Sequence, residues 1–321
     1  MPLLTVCLPT YNGAPFLAEA IQSILAQTWT DFDLLIVDDH STDDTPAVIR
    51  SFHDRRITFH QNPTRLGLVG NWNRCLELAQ GEYICLFHQD DVMLPDNLRQ
   101  KITILQNYSN VGMVFSDAVL IDSQSQPIAE HWFYSPPFTG TTTIEGQQLL
   151  QELITGNNFI PCSSVVAWRE CFFRSGRFDA RFPFTADLAM WLHIALFYDV
   201  AYVDKPLIKY RWHSSNETRN FSDIDQWRQI YLARQTVLTE HPDKIPNAAP
   251  LLSQLNQQYQ TDSIIRALYH LRHRHYEASQ AYLNFAGEIN TSGFLLLKAT
   301  GQALKHLIST KVHKNLKRFV L

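Results

Sequence analysis

Short apolar runs alternate with segments of helical periodicity over the first hundred residues. The run LLTVCLP predicts a strand, and the turn-prone PTYNG follows it. The run FDLLIVDD is nearly continuous in apolar residues, as in parallel strands that helices cover on both faces. Between these strands, apolar residues recur at the spacing of one helical face: Phe16, Leu17, Ala20, Ile21, Ile24 and Leu25.

The alternation continues to about residue 95 and predicts the fold class. TPAVIRSFHD is typical of a helix, RITFHQN of a strand, LVGNWNRCLELAQG of a helix and YICLF of a strand. This order predicts an α/β protein with a doubly wound, mostly parallel sheet and right-handed crossovers. Ligands of such sheets bind at the carboxyl ends of the strands. The polar segments PTYN, DDHS and HQDD all fall there.

The pattern becomes less regular after residue 95. It predicts helices at LPDNLRQKITILQNY, EGQQLLQELIT and TADLAMWLHIALFYD, and extended segments at VGMVFSDAVLID, FIPCSSVVAW and VAYVDKPLIKYRWH. Residues 122–143 predict a long loop, a candidate lid. From about residue 216 the pattern is helical. We therefore predict a domain over 1–215, with halves 1–95 and 96–215, and a helical extension over 216–321.

Composition and charge narrow the class of protein. A net charge of −4 and a pI near 6.3 argue against nucleic-acid binding. Residues 1–100 contain six arginines, thirteen acids and no lysine. The five cysteines form no CxxC and predict buried thiols in a reducing compartment. The N-terminus lacks the basic start of a signal peptide, and no apolar run reaches the roughly 20 residues of a membrane span. We expect a cytoplasmic protein.

Several motifs resemble family 2 glycosyltransferases with the GT-A fold, in order and spacing, over roughly residues 3–215. They are TVCLPTYNGAPFLAEAIQSILAQT, FDLLIVDDHSTDDT, AQGEYICLFHQDDVMLPDNL, SGRFDARF, ADLAMWL and YRWHSSN. The resemblance implies transfer of one sugar, with inversion, from a UDP- or dTDP-sugar to an acceptor hydroxyl. It also implies Mn²⁺ or Mg²⁺ as cofactor, and a role in cell-surface polysaccharide or lipid-linked glycan synthesis.

The resemblance assigns a metal site to the end of the fourth strand. It makes Asp91 a metal ligand and Asp90 a contact of the donor ribose, and it puts His213 at the metal or diphosphate. Carboxylates and imidazoles are suitable ligands of these ions. Many relatives carry an acid where this chain has His88 or Gln89, so the number of protein ligands is open. Taken alone, the two aspartates also fit a turn and helix cap.

Donor-binding residues are assigned from the same motifs, each beside a structural alternative. Asp39 matches the acceptor of the base N3–H, but an aspartate there also suits an Asx-turn or a helix cap. Arg211 is a candidate phosphate ligand or half of an ion pair. The remaining matches are Pro9, Thr10, Tyr11 and Asn12 for the base and ribose, and Asn73 and Arg74 for the diphosphate or sugar.

Asp187 matches the catalytic base of the family. An inverting transfer needs a carboxylate that takes the proton of the attacking hydroxyl. Many relatives have Glu-Asp here, and this chain has Ala186 before Asp187. The alternative is an acid in the first turn of a helix, stabilised by the helix dipole. Aromatic residues of the long loop are candidates for the acceptor site or for anchoring the loop itself: Trp132, Phe133, Tyr134 and Phe138.

Other functions and partners remain open from the sequence. The alternatives are a sugar-nucleotide nucleotidyltransferase and a non-catalytic nucleotide-sugar or glycan-binding protein. The expected partners are a nucleoside diphosphate-sugar and a glycan or lipid-linked acceptor. Residues 300–321 predict a basic amphipathic helix, which suits either a peripheral contact with an anionic membrane or packing on protein. Association of identical chains is also left open.

Overall fold

The computed structural model describes residues 3–289, and their contacts divide the chain into two units. The first unit ends at Asn220 and the second begins at Phe221. The strands of the first unit are β1 (Leu4–Thr10), β2 (Phe32–Asp38), β3 (Ile57–Gln61), β4 (Tyr83–Leu86), β5 (Val92–Met93), β6 (Val111–Ile121), β7 (Pro127–Ala129), β8 (Thr142–Ile144), β9 (Val166–Trp168) and β10 (Asp199–Arg211). Its helices are α1 (Ala14–Leu25), α2 (Thr45–Arg50), α3 (Gly67–Leu78), α4 (Asn97–Asn107), α5 (Gly146–Thr155), α6 (Arg169–Arg174) and α7 (Ala186–Ala195).

The strands form one mixed sheet, in the order β3-β2-β1-β4-β9-β6-β10-β5. Strands β3, β2, β1 and β4 run parallel, as predicted from the alternation of strands and helices. Strand β9 is antiparallel to both of its neighbours, and β10 is parallel to β6. The predicted α/β class with a helix-flanked sheet is therefore confirmed, and the sheet is mixed: its first four strands are parallel, whereas β5, β7, β8 and β9 pair antiparallel with their neighbours.

Burial explains why the first strands read as continuous apolar runs. Every residue of β1 and β4 is buried, so both faces of these strands lie under other elements. The apolar face of α1 covers one side and buries Leu17, Ala20, Ile21 and Ile24. These residues share one core with Leu34, Ile36 and Phe87 of the sheet. This core stabilises the sheet, and the polar side chains lie beyond the ends of its strands.

The segment FIPCSSVVAW differs from the predicted strand. Residues Cys162–Ser164 form a 3-10 turn, and only Val166–Trp168 are extended. The turn closes through the amides of Ser164 and Val165, which bond Pro161 O and Cys162 O at 2.9 and 3.1 Å. Both serines are fully buried. Ser163 bonds Asp91 of the site described below, and Ser164 accepts hydrogen bonds from Ser116 and Lys101. Local apolarity predicts a strand here, and these distant polar partners favour a turn.

The second unit is helical over its described part, as predicted for the C-terminal extension. Its helices are α8 (Asp223–Glu240), α9 (Ala248–Arg272) and α10 (Tyr276–Ile289). Ser222 caps α8 by accepting a hydrogen bond from the Asp225 amide at 3.3 Å. No helix within residues 3–289 is long and apolar enough to cross a bilayer. The helix predicted over 300–321 lies outside the described residues.

A glycine substitution tests the packing that positions β4. A Cβ on Gly81 would lie 2.5 Å from the backbone nitrogen of Thr5 and 2.7 Å from the carbonyl carbon of Leu4. We expect Gly81→Ala to lower the free energy of unfolding by about 1–3 kcal/mol, because strand backbone cannot move aside cheaply. Chemical denaturation measures this loss.

The matched control is Gly287→Ala, which adds the same methyl group in helix α10, where no described atom outside the neighbouring helix backbone lies within 4 Å. This variant should gain roughly 0.5–1 kcal/mol from helix propensity. Equal effects at the two positions would contradict the close packing at Gly81.

Candidate active site

Three strands of the parallel half deliver polar loops to one edge of the sheet. The register pairs Thr10 of β1 with Asp38 of β2, and Cys7 with Leu86 of β4. Beyond the strands, the Asp39 amide bonds Thr10 O and the Phe87 amide bonds Cys7 O, both at 2.8 Å. The segments that follow Thr10, Asp38 and Leu86 are the ones expected to carry ligand chemistry, and the structure brings them together.

Gln89 ties the first of these loops to the third. Its side-chain carbonyl accepts the Tyr11 amide at 2.9 Å, and its Nε2 donates to Tyr11 O at 3.1 Å. A Cβ on Gly13 would lie only 2.1 Å from Gln89 Oε1. Gly13 therefore leaves the room that this amide fills. The sequence did not single out Gln89 as a tether, because its partners are backbone atoms 78 positions away.

The predicted base-and-ribose loop is braced by the loop after β2. Asn12 adopts a positive φ of 46° and its side-chain oxygen accepts the Thr42 amide at 2.9 Å. The aromatic ring of Tyr11 lies under the guanidinium of Arg65, 3.9 Å from ring centre to carbon. Pro9 and Thr10 are buried at the end of β1. Tyr11 is thus the predicted residue of this loop whose ring is held at the cleft.

Asp39 is buried and anchors the start of helix α3. Its oxygens accept the amides of Leu66 and Gly67 at 2.7 and 2.8 Å and the Asn62 side chain at 3.0 Å. These contacts hold the start of α3, whereas the Asx-turn or cap considered from the sequence concerned the segment directly after Asp39. Its predicted bond to the donor base stays a prediction, because a carboxylate offers about four acceptor positions and three are filled here.

Asn73 and Arg74 make contacts within the first unit. The Asn73 amide bonds the backbone of Phe178 in both directions, at 2.8 and 3.0 Å. Arg74 forms an exposed ion pair with Glu77 at 3.2 Å. Both contacts are those of a polar helix face, and the donor contacts predicted for the two residues stay predictions.

Asp90 and His213 meet at the cleft side of the metal motif. His213 Nε2 lies 3.0 Å from Asp90 Oδ2, and the Asn216 side chain donates to the same oxygen at 3.3 Å. The side chains of Asp90 and His213 retain 18% and 9% of their accessible surface. The segments HQDD and YRWHSSN, 120 positions apart, thus form one cluster with one carboxylate open to solvent.

Asp91 points the other way, into the protein. One carboxylate oxygen accepts the backbone amide of Arg211 at 2.9 Å, and the other accepts the hydroxyl of Ser163 from the 3-10 turn. Burial, followed by the charge of Asp90, raises the pKa of Asp91. The two adjacent aspartates therefore differ sharply in environment, although their sequence context is the same.

The donor set fits a divalent cation. Ligand atoms of His88, Asp90 and Asp91 lie within 4.8 Å of one another. The Nε2 atom of His88 is buried without a hydrogen-bond partner among the described residues, and its ring stacks on Trp72 at 5.5 Å. Burial lowers the pKa of His88, so its imidazole is neutral near pH 7. Neighbouring carboxylates and a neutral imidazole are a combination that Mn²⁺ accepts.

The guanidinium of Arg211 is buried and bonds protein groups. It donates to Asp90 O at 2.7 Å and Asp122 O at 3.0 Å, and it pairs with Glu19 Oε2 at 2.6 Å. The ion-pair alternative considered for Arg211 describes these contacts. The predicted phosphate contact stays a prediction. Arg211 joins the metal motif to helix α1 and to the start of the long loop.

Asp187 lies in the first turn of helix α7, at the opposite side of the cluster. Its carboxylate accepts the Asn158 side chain at 3.0 Å and the Leu188 amide at 2.7 Å. Burial raises its pKa to about 6, against these two hydrogen bonds, which lower it. Asn158 had no distinguishing signal in the sequence, since it precedes Asp187 by 29 positions in a polar loop.

Carboxylates of the metal motif and of helix α7 both affect the pKa values of two buried side chains. Burial raises the pKa of the Cys162 thiol, and the charges of Asp187 and Asp91 raise it further. The pKa of Tyr210 is raised by burial and then by the charges of Asp91, Asp90 and Asp187. The chain itself also joins the two sides, because Asn158 bonds Asp187 and Ser163, five positions later, bonds Asp91. The structure thus brings the predicted metal and base residues together.

The long loop lies against this region through aromatic contacts. Trp132 meets Tyr210 at 4.6 Å between ring centres, and Phe133 meets Trp212 at 5.1 Å. The loop is fastened by His131, whose Nδ1 lies 2.7 Å from the Asp117 carboxylate. At its far end Phe138 packs on Phe159, close to Asn158. Phe133 and Tyr134 keep exposed ring surface next to the site.

A mixed sheet with an acidic cluster at its strand ends is the arrangement expected of the GT-A fold that the motifs predicted. The sequence profile of glycosyl transferase family 2 matches residues 5–165. The chain therefore belongs to glycosyl transferase family 2, as its motifs predicted.

Curated relatives match over most of this chain. An uncharacterized glycosyltransferase of Rickettsia felis is 28% identical over 232 residues, which is 70% of this chain and 36% of that protein. The chain thus matches about a third of that relative's length. The Escherichia coli protein named UDP-Glc:alpha-D-GlcNAc-diphosphoundecaprenol beta-1,3-glucosyltransferase WfgD is 26% identical over 229 residues, covering 70% of this chain and 84% of its own.

Solved structures share the fold. The crystal structure of Staphylococcus aureus TarS 1-349 in complex with UDP-GlcNAc superposes with a TM-score of 0.61 at 14% identity, covering 88% of this chain and 90% of that one. The mannosyltransferase PcManGT of Pyrobaculum calidifontis, in complex with GDP-Man and Mn²⁺, superposes with a TM-score of 0.53 at 19% identity. The match covers 90% of this chain and 87% of that one. The GT-A fold predicted from the motifs is confirmed.

Arg211 provides a test of how the site is held. Arg211→Met should lower the free energy of unfolding by roughly 2–4 kcal/mol, because two partly buried carbonyls lose their donor and the ion pair with the Glu19 carboxylate is lost. Glu19→Gln should cost less than about 1 kcal/mol, since the Glu19 side chain is 44% exposed and its charge is screened. Urea denaturation of both variants compares the two. A larger loss for Glu19→Gln would mean that the ion pair, and not the carbonyl contacts, holds this loop.

Proposed function

We propose that the protein transfers one sugar, with inversion, from a UDP- or dTDP-sugar to an acceptor hydroxyl, as a metal-dependent step in glycan synthesis. The observation that carries the proposal is the placement of Asp187. Its partner Asn158 lies five positions before Ser163, which bonds Asp91 beside the Asp90–His213 pair, and burial raises the pKa of Asp187 to about 6. One group is suited to accept a proton and the other to hold an anionic donor, as a displacement at a sugar carbon requires.

Asp187 is the general base in this proposal. With a pKa of about 6 it is ionised at neutral pH, yet it is basic enough to take a proton from an attacking hydroxyl. The acceptor oxygen forms its bond to the anomeric carbon as the bond to the diphosphate oxygen breaks, and the proton moves to Asp187. Asn158 and the Leu188 amide hold the carboxylate in one orientation. A single displacement of this kind inverts the configuration and needs no covalent intermediate.

The donor diphosphate is proposed to meet a divalent cation held by Asp90, with the imidazoles of His88 and His213 as its further ligands from the protein. A bound Mn²⁺ or Mg²⁺ would supply positive charge to the leaving diphosphate. We assign Asp90 this role because its carboxylate is open to the cleft, whereas both oxygens of Asp91 bond protein groups. Asp91 then holds the HQDD segment in place through its bonds to Ser163 and Arg211. This assignment gives Asp90 the metal role that the family resemblance implied for Asp91, and it leaves Asp91 without a contact to the donor.

The nucleotide is proposed to bind between the Tyr11 loop and Asp39. The Tyr11 ring can lie on a pyrimidine, and the remaining acceptor position of Asp39 suits a base N3–H, which uracil and thymine carry. The WfgD relative is named for UDP-glucose, and TarS was solved with UDP-GlcNAc. Both names support a uridine nucleotide, while the GDP-Man complex of PcManGT shows that the fold accepts other bases.

The acceptor is proposed to be a glycan that is attached to a membrane lipid. WfgD is named for an acceptor on diphosphoundecaprenol. In this chain, the exposed rings of Phe133 and Tyr134 lie beside the site, and aromatic faces suit the C–H faces of sugars. The proposed location is the cytoplasmic face of the membrane, where such acceptors meet soluble nucleotide sugars.

The metal assignment predicts different effects for two neighbouring aspartates. Asp90→Asn should weaken Mn²⁺-dependent binding of UDP and dTDP by roughly 10–100-fold, as loss of a metal-site group does, and should keep its melting temperature. Asp91→Asn should mainly lower the melting temperature, because its amide replaces an acceptor that is buried between Ser163 and Arg211. Titration calorimetry and thermal melting separate the two effects.

The control is Asp96→Asn, an exposed acid just after the motif. It should change neither quantity. The assignment of Asp90 is wrong if Asp90→Asn binds nucleotide normally while Asp91→Asn stays folded and loses the metal dependence.

The base assignment predicts a rate effect and a pH effect. Asp187→Asn should reduce transfer by roughly 10²–10⁴-fold with unchanged donor affinity, because only proton removal is lost. In the wild type, kcat/KM should fall tenfold per pH unit below about pH 6, as Asp187 becomes protonated. Asn158→Leu removes a hydrogen bond that lowers this pKa, so the acidic limb should move to higher pH.

Both effects are measured by following release of the nucleoside diphosphate from a panel of nucleotide sugars over a range of pH. Glu170→Gln, an exposed acid on helix α6, is the control for loss of a carboxylate. Near-normal turnover of Asp187→Asn would contradict the assignment, and so would an Asn158→Leu variant whose pH profile has an unshifted acidic limb. Asp187 would then have only a structural role in the first turn of helix α7.

A further inference from the structure

The turn between helices α9 and α10 presents every side chain of its tip to solvent. Residues 271–276, called the tip below, carry the sequence LRHRHY, and all six are exposed. The tip is closed by backbone bonds from Arg274 to Leu271 O at 3.1 Å and from His275 to His270 O at 2.9 Å. Arg274 adopts a positive φ of 62° to make the turn. This turn is therefore a defined structure that holds its side chains outward.

The tip has a strong positive charge with no acid inside it. Residues 263–276 contain no Asp or Glu, and the tip itself contributes Arg272 and Arg274 together with two histidines. Neither arginine forms an ion pair with any residue in the described part of the chain. The nearest acid in sequence is Glu277, on the first turn of α10. Two guanidinium groups are thus available to an external anion.

Apolar side chains flank these charges. Leu271 is 50% exposed and Tyr276 is 63% exposed, at the two ends of the tip. Leu283 is 44% exposed, and it lies seven positions, or about two helical turns, after Tyr276, so both lie on one face of α10. Exposed apolar side chains and two arginines without an ion pair among the described residues therefore lie on one turn, a combination found in segments that bind at a membrane surface.

The size and chemistry of the tip favour a bilayer over a protein as its partner. A stable protein interface covers about 800 Å² per partner, more than one six-residue turn offers. A bilayer surface requires only a few side chains, with leucine and tyrosine in the interfacial layer and arginine at the lipid phosphates. We propose that the tip docks the protein on an anionic phospholipid membrane, with Leu271 and Tyr276 inserted and Arg272 and Arg274 at the headgroups.

This inference does not depend on the proposed transfer reaction. It rests only on exposed side chains of the second unit, and its test measures membrane binding and not activity. It is also separate from the basic segment at 300–321, because the variants below change the tip alone. If the proposed acceptor is lipid-linked, the two inferences agree in bringing the chain to the same surface.

Charge reversal at the tip tests the electrostatic part. The full-length protein is floated with vesicles of phosphatidylglycerol and phosphatidylcholine, and with phosphatidylcholine alone. Each arginine near an anionic surface adds roughly fivefold to binding. Arg272→Glu combined with Arg274→Glu should therefore lower the partition onto the anionic vesicles by about tenfold or more, with unchanged melting. The matched control is Arg50→Glu with Arg55→Glu, which makes the same change of net charge at exposed residues of the first unit.

Insertion is tested by a fluorophore at Leu271. The five native cysteines are buried, so a dye that reports polarity can be attached to Leu271→Cys alone. Its emission should shift to the blue with anionic vesicles. Ser253→Cys, on the same helix 18 positions away, should show no shift. The proposal is overturned if the tip variant floats like the wild type, if the control variant loses binding equally, or if the dye at 271 reports no change.

Discussion

The hydrogen bond between the Asp91 carboxylate and the backbone amide of Arg211 is the contact on which the site depends. It is 2.9 Å long and joins the loop after β4 to the last residue of β10. Because Arg211 is held there, its guanidinium reaches Asp90 O, Asp122 O and Glu19. His213, two residues later, then stands beside Asp90. A buried acid that makes no contact with ligand in our proposal thus determines where the open acid and the histidine lie.

Two departures from the family pattern are explained by their contacts. Many relatives carry an acid at the position of His88 or Gln89. Here the imidazole stacks on Trp72 and the amide of Gln89 clasps the backbone of Tyr11. A carboxylate could accept the Tyr11 amide but could not donate to the Tyr11 carbonyl, so only glutamine makes both bonds between the two loops. An acid here would also add a third negative charge beside Asp90 and Asp91. With fewer acids, the cleft keeps one open carboxylate, which makes the imidazole of His213 more important to any bound cation.

The sequence predicted the parts of the molecule that depend on local periodicity and strand order. The alternating runs gave β1 to β4 and their helices, and in-register parallel strands then bring the loops after Thr10, Asp38 and Leu86 to one edge. It could not predict Ser163 or Asn158, because their partners Asp91 and Asp187 lie 72 and 29 positions away and no local pattern marks a polar side chain that supports a carboxylate. The strand predicted at FIPCSSVVAW failed for the same reason. Which of two adjacent aspartates faces the cleft is likewise decided by distant partners.

Few basic side chains near the proposed donor site are free to contact an anionic ligand, which explains why the absence of lysine from residues 1–100 matters. The first lysine of the chain is Lys101, and it is fully buried in helix α4, where its ammonium contacts Asn97 and the carbonyl of Ser164. Burial lowers its pKa to about 7, so much of its charge is already lost at neutral pH. Arg211 is committed to protein carbonyls and Glu19. Among the described residues near the proposed donor site, Arg65 above Tyr11 is a cation that stays exposed. A diphosphate needs more positive charge than one surface arginine gives, and the open carboxylate of Asp90 adds a further negative charge beside it. A divalent ion answers both needs at once, which is why the metal belongs to the proposal as firmly as the base does.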